Sequence, residues 1–194
     1  MKKLIVASGN KDKISEIKQI IGEYYNIYSM KELGFDKYIE ETGKTFLENA
    51  LIKAKAVSEY FYEDALSDDS GLIVDALNGA PGIYSARYSG ENATNDDNNK
   101  LLLKNLKNEN NRKAEFFSCV VLYHTNGSYE FGEGRAFGRI LYEERGKGGF
   151  GYDPLFFSDE LKKSFGEALA EEKNIVSHRF KALMNLKSKL QGTK

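Results

Sequence analysis

Two long strand-like stretches, 114–124 and 128–140, flank Thr125-Asn126-Gly127. Asn-Gly accepts the positive φ that a tight hairpin turn demands, so the spacing predicts two paired strands and fixes a sheet with an antiparallel element at the centre of the chain. Everything else must pack on that sheet. Upstream, the run 4–8 ends at Gly9-Asn10 and is followed by Ile14, Ile17, Ile20 and Ile21 at helical spacing, which predicts strand, turn and helix. A second strand is predicted over 24–30, then a polar, acidic loop over 31–42. Thr45-Phe46-Leu47-Glu48 has the capping-box pattern, opening a helix that runs past Ala50, Ala54 and Val57 to about Tyr62. A brief strand at 65–67 leads into Asp68-Asp69-Ser70-Gly71, with 72–74 extended and a turn at 78–82. The leucines at 101, 102, 103 and 106 predict a helix over 94–107, and 155–157 a short strand. From Ala170 to Leu190 the apolar positions read as one closing amphipathic helix. The alternation predicts an α/β fold in a single domain over 1–194.

Charge and composition narrow the function classes. The 28 basic and 29 acidic side chains nearly cancel, giving a formal charge of -1, which speaks against a protein that coats nucleic acid. No stretch approaches the roughly 20 apolar residues of a membrane span, and the apolar part of the first residues, 4–7, is too short for a signal sequence. The lone Cys119, inside the apolar run 116–122, can form no intramolecular disulfide and reads as a core thiol. A cytoplasmic chain is the expectation.

Four constellations of residues are suited to chemistry. In Ser8-Gly9-Asn10-Lys11-Asp12-Lys13 a strand gives way to a helix, whose first N–H groups and two flanking lysines favour an anion; taken alone, the segment is equally an ordinary turn with solvated lysines. Glu40-Glu41 and Asp68-Asp69 supply carboxylates from separated segments, as a magnesium site completed by phosphate oxygens and water requires, although such pairs are commonly surface features. In an extended strand Asp68 and Asp69 point to opposite faces, so one of them is expected at the metal. Gly148-Gly149-Phe150-Gly151-Tyr152-Asp153-Pro154 places an aromatic ring and a carboxylate where backbone approaches closely, either beside a planar ligand or as a simple plugged turn. Lys173 and Ser177-His178-Arg179 on the closing helix complete the set, with an ordinary structural role the default for His178. His124 is assigned no role. Gly43-Lys44-Thr45 is a decoy, because a P-loop needs glycine at the position that Tyr38 occupies.

Together, the Ser8-Gly9-Asn10 turn with Lys13, Glu40-Glu41-Thr42-Gly43 with Phe46 and Glu48-Asn49-Ala50, Asp68 to Leu72, Gly79 to Tyr88, Gly149 to Pro154 and Ser177-His178-Arg179 closely resemble the Ham1/RdgB-like inosine triphosphate pyrophosphatases. The matches keep one order over nearly the whole chain; Ser8 stands where that family commonly has threonine, which preserves the hydroxyl. The resemblance implies an elongated α/β fold with a central mixed sheet flanked by helices, a cleft between two lobes and a homodimer. It implies magnesium-dependent hydrolysis of non-canonical purine nucleoside triphosphates, of inosine, deoxyinosine or xanthosine, to monophosphate and pyrophosphate, with no nucleic-acid or membrane partner. It further implies Glu40 and Asp69 as metal ligands and Asp69 as the residue that orients or deprotonates water. Ser8, Gly9, Asn10, Lys11, Asp12, Lys13, Lys53 and Ser70 would then bind the triphosphate, and Phe150, Gly151, Tyr152, Asp153, Lys173, His178 and Arg179 the base. Two alternatives stand beside it: a Maf-like pyrophosphatase for modified pyrimidine or methylated nucleotides, and a binding module without turnover.

Overall fold

The computed structural model describes residues 2–192. Its elements are β1 (Lys2–Val6), α1 (Lys11–Ile21), β2 (Tyr25–Ser29), α2 (Phe46–Phe61), β3 (Ala65–Val74), α3 (Asn95–Asn105), β4 (Lys113–Tyr123), β5 (Tyr129–Ile140), β6 (Phe156–Ser158), α4 (Ala170–Val176) and α5 (His178–Gly192), with 3-10 turns at Asp75–Leu77 and Gly82–Arg87. Six strands form one mixed sheet in the order β2-β1-β3-β4-β5-β6. β1 pairs in parallel with β2 and β3, while β6 runs antiparallel to β5. The α/β class read from the sequence is the one observed.

Local signals account for most boundaries. Asn10 caps α1 by accepting from the N–H groups of Asp12 and Lys13, and Thr45 with Glu48 forms the reciprocal capping box of α2. β4 and β5 meet at the Thr125-Asn126-Gly127 turn, where Gly127 has φ 88° and the His124 N–H reaches the Ser128 carbonyl at 2.9 Å. Two expectations are corrected. β3 is one unbroken ten-residue strand, because burial along nearly all of it lets Asp68 and Asp69 stay in the ladder. The closing helix is two helices, since Ser177 takes an extended backbone (ψ 154°) between α4 and α5.

The chain divides into two compact units, one of Met1–Asp69, Ser118–Gly134 and Arg179–Lys194, the other of Ser70–Phe117 and Arg135–His178. In the first, Leu4, Val6, Ile17, Leu66, Val120, Leu183 and Leu186 form one core, and Ile5, Ala7, Phe35, Val57 and Ala65 another. In the second, Leu72, Leu102, Phe116, Ile140, Leu155, Phe156 and Phe165 pack together. Cys119 is fully buried. Among the described residues no helix is long and apolar enough to cross a membrane.

Candidate active site

In the first unit, β1 stops at Val6 while its neighbour β3 continues, with Val6 level with Leu66. The loop 7–10 therefore lies at the carboxyl end of a parallel strand, where open α/β sheets receive ligands, with Asp68 and Asp69 following on the adjacent strand. Ser8 Oγ accepts the Asn10 N–H at 3.1 Å, and the Asn10 side chain takes two of the helix's first N–H groups. Lys11 and Asp12 are exposed beside this turn.

The two aspartates point to opposite faces, as the alternation of a strand requires. Asp68 is wholly buried and holds cations from two helices: Lys13 Nζ at 2.9 Å from α1 and Arg179 Nη2 at 3.0 Å from α5. Ser118 Oγ donates to its other oxygen, and Arg179 also pairs with Glu16. Burial would raise the Asp68 carboxyl, but the Arg179 and Lys13 charges hold it well below the usual carboxylate range. Asp69 receives Lys53 Nζ at 2.9 Å on Oδ1 and lies 3.5 Å from Asn49 Nδ2, both from α2. Its carboxyl is pushed up by burial against the pull of Lys53 and Lys13.

Of the acidic pair in the preceding loop, Glu41 reaches Lys53 at 3.3 Å. Glu40 is exposed and lines a hollow with Phe35, Lys37, Ile52 and Tyr60. Of this cluster, Glu41 and Asn49 fall within the sequence motifs, Asn49 without an assigned role, whereas Glu16 lies outside them. Helical spacing holds the missing signal, because Asn49 and Lys53 are four apart on α2, Lys13 and Glu16 three apart on α1, and each pair shares a face. Asn49 is fully buried and its Oδ1 accepts the Gly43 N–H, so it also fixes the loop that carries Glu41.

In the second unit, the glycine loop closes on a buried ion pair. Lys173 Nζ lies 2.6 Å from Asp153 Oδ2, the side chains 5% and 3% exposed, and the same oxygen accepts the Phe150 N–H at 2.8 Å. Lys173 also sits 4.8 Å from the centre of the Phe150 ring. Gly149 has φ 70°, and a Cβ there would stand 2.1 Å from Asp153 Oδ2, so glycine is what lets this carboxylate fold back under the loop. Asn99 donates to the Gly151 carbonyl at 3.2 Å and to Glu144 at 2.7 Å, tying the loop to α3. Tyr152 is buried, donating its hydroxyl to the Ser85 carbonyl, and the His178 ring stacks on Phe116 at 4.8 Å. Ser70 opens this unit next to Asp69, and at Gly71 a Cβ would meet the Gly82 carbonyl oxygen at 2.2 Å. The expected residues divide between the units, Ser8 to Lys13, Lys53 and Asp69 in the first and Ser70, Phe150 to Asp153, Lys173 and His178 in the second. Arg179, expected with the base set, belongs to the first unit and pairs with Asp68, and of the two loop carboxylates it is Glu41, not the expected Glu40, that reaches Lys53.

Residues 4–189 match the Ham1 family. The chain belongs to that family. This Ham1 member is 47% identical to the dITP/XTP pyrophosphatase of Clostridium perfringens, over 99% of this chain and 98% of the relative. Among solved structures it resembles the Staphylococcus aureus Ham1 protein, with a TM-score of 0.88, 39% identity and 100% of both chains covered. It also resembles the nucleoside-triphosphatase (dITP/XTP pyrophosphatase) of Mycobacterium abscessus, with a TM-score of 0.76, 38% identity and 94% and 97% of the two chains covered.

Proposed function

We propose that this Ham1 protein hydrolyses inosine, deoxyinosine and xanthosine triphosphates to the monophosphate and pyrophosphate, clearing them from the nucleotide pool of the cytoplasm. The observation that carries the reading is the Asp69 cluster: a buried carboxylate paired with Lys53 at 2.9 Å, on β3 just past the carboxyl end of the parallel β1. Asp69 orients the attacking water and takes its proton as the oxygen bonds to the α-phosphorus; the bond to the bridging oxygen breaks, and pyrophosphate leaves with that electron pair. Lys13, Lys53, the Ser8–Lys13 loop and Ser70 offset the charge of the phosphate chain. Phe150 stacks on the base, and Lys173, held by Asp153, donates toward a 6-oxo group; adenine's 6-amino group would leave that donor unsatisfied.

The cofactor proposed is magnesium. Among the described residues no group of three or more His, Cys, Asp or Glu side chains is arranged to hold a metal. Two carboxylates, Asp69 with Glu41 or Glu40, nevertheless suit an ion that keeps most of its water and takes its remaining oxygens from phosphate. When bound, the metal neutralises phosphate charge and makes the α-phosphorus a better electrophile. A homodimer belongs to the same proposal; the rings of Tyr38 and Tyr62, 88% and 87% exposed, are surface that a second copy would cover.

The test is the product analysis of inosine triphosphate turned over with magnesium. Monophosphate and pyrophosphate are expected; a diphosphate with orthophosphate would refute the chemistry. Turnover of modified pyrimidine or methylated nucleotides with inosine triphosphate left intact would favour a Maf-like activity.

A further inference from the structure

Lys53 occupies the point on which two carboxylates converge. Its Nζ is 2.9 Å from Asp69 Oδ1 and 3.3 Å from Glu41 Oε2, and its side chain is only 13% exposed. The base of that side chain is fixed, because the α2 face carrying Asn49, Ala50, Ala54 and Val57 is fully buried. A lysine reserved for a diffusing phosphate chain would keep its ammonium in water; this one spends it on the carboxylates offered to magnesium. An ammonium and a divalent cation compete for the same oxygen lone pairs and repel one another, so both cannot hold the pair at full strength.

Resting on the magnesium reading above, we propose that Lys53 is the resident counter-ion of the metal-free site: its ammonium and the divalent cation take the Glu41–Asp69 pair in turn, and the displaced ammonium is received by the phosphates of the incoming nucleotide. Two consequences follow from this exchange. Without nucleotide the cation binds weakly, because it must expel Lys53 from Glu41 and Asp69, the two carboxylates that its Nζ reaches among the described residues. With nucleotide present the expelled ammonium is re-paired, so cation and nucleotide strengthen each other's binding by the same factor. The protein therefore takes up its metal together with the substrate, not ahead of it.

The experiment is calorimetric titration of the nucleotide-free full chain with Mn2+, as stand-in for magnesium, in wild type, Lys53→Met and Asp69→Asn, repeated with the α,β-methylene analogue of inosine triphosphate. Lys53→Met is expected to bind Mn2+ at least tenfold more tightly than wild type without the analogue. The analogue should then tighten Mn2+ binding markedly in wild type and little in Lys53→Met. Thermal unfolding gives a second readout: the variant melts lower without metal, two carboxylates having lost their counter-ion, and gains more from Mn2+ than wild type does. Should Lys53→Met not fold, Lys53→Gln keeps a polar end and is measured in the same way. Equal or weaker Mn2+ affinity in the Lys53 variant overturns the exchange while leaving the magnesium reading intact. Mn2+ binding that is absent from wild type and variant alike, with and without the analogue, ends the magnesium reading itself, and binding undiminished in Asp69→Asn moves the ion elsewhere.

Discussion

Replacing Asp153 by asparagine tests whether the glycine loop is held by charge. Asp153 and Lys173 meet at 2.6 Å with side chains 3% and 5% exposed, so water does little to replace either partner. Removing one member of a buried ion pair costs about 3–5 kcal/mol. Asparagine keeps the shape and an oxygen for the Phe150 N–H, now accepted at 2.8 Å, which places Asp153→Asn at the lower end, about 3 kcal/mol. For a chain of this size that corresponds to a melting temperature lower by about 6–12 °C. Urea unfolding at neutral pH measures the loss, and the cycle with Lys173→Met isolates the pair: the double variant should recover part of the stability, with a coupling of about 1–3 kcal/mol. In turnover, KM for inosine triphosphate should rise with kcat nearly held, because the loop that presents Phe150 loosens while Asp69 is untouched. A loss below about 1 kcal/mol, the value of a solvated surface pair, would refute the argument that burial makes this contact strong.

The catalytic assignment is tested by Asp69→Asn, expected to lower kcat for pyrophosphate release by about 10²–10⁴ with a folded, cooperatively melting protein; a kcat within tenfold of wild type removes Asp69 from the role. A pH experiment addresses a different part of the first unit. Both ring nitrogens of His124 face carboxylates, Nδ1 at 2.9 Å from Asp64 and Nε2 at 2.7 Å from Glu130, and only the imidazolium has a proton for each. Burial would lower its pKa, but the bonds to Asp64 and Glu130 outweigh it and raise the value. Lys2 faces the same Asp64 carboxylate at 2.6 Å. A raised folded-state pKa means that the stabilisation is fully present below the unfolded value of about 6.5 and fades as pH rises through the folded one. The gap in unfolding free energy between wild type and His124→Gln should therefore be largest in mild acid, where the Asp64 carboxyl is still ionised, and shrink toward alkaline pH; a gap that widens from mild acid to alkaline pH contradicts the pairing.

The sequence by itself determined whatever depends on near neighbours. The Asn126-Gly127 turn, the Thr45-Glu48 capping box and the isoleucine spacing of α1 are patterns a few residues long, and they placed a hairpin and two helices because backbone hydrogen bonding is satisfied locally. The ordered motifs also revealed the family. The alternation of a strand foretold that Asp68 and Asp69 would diverge, but not where each would go. That was decided by the tertiary structure: Asp68 meets Arg179 across 111 positions of sequence and Asp69 meets Lys53 on another helix, so one becomes a buried anchor and the other carries the proposed chemistry. The pairing of Glu41 with Lys53, the hold of Asn99 on Gly151 and the break at Ser177 were equally hidden. Each depends on which distant side chain is brought within about 3 Å in a place shielded from water, and strength of that kind belongs to the packed environment and not to any short stretch of residues.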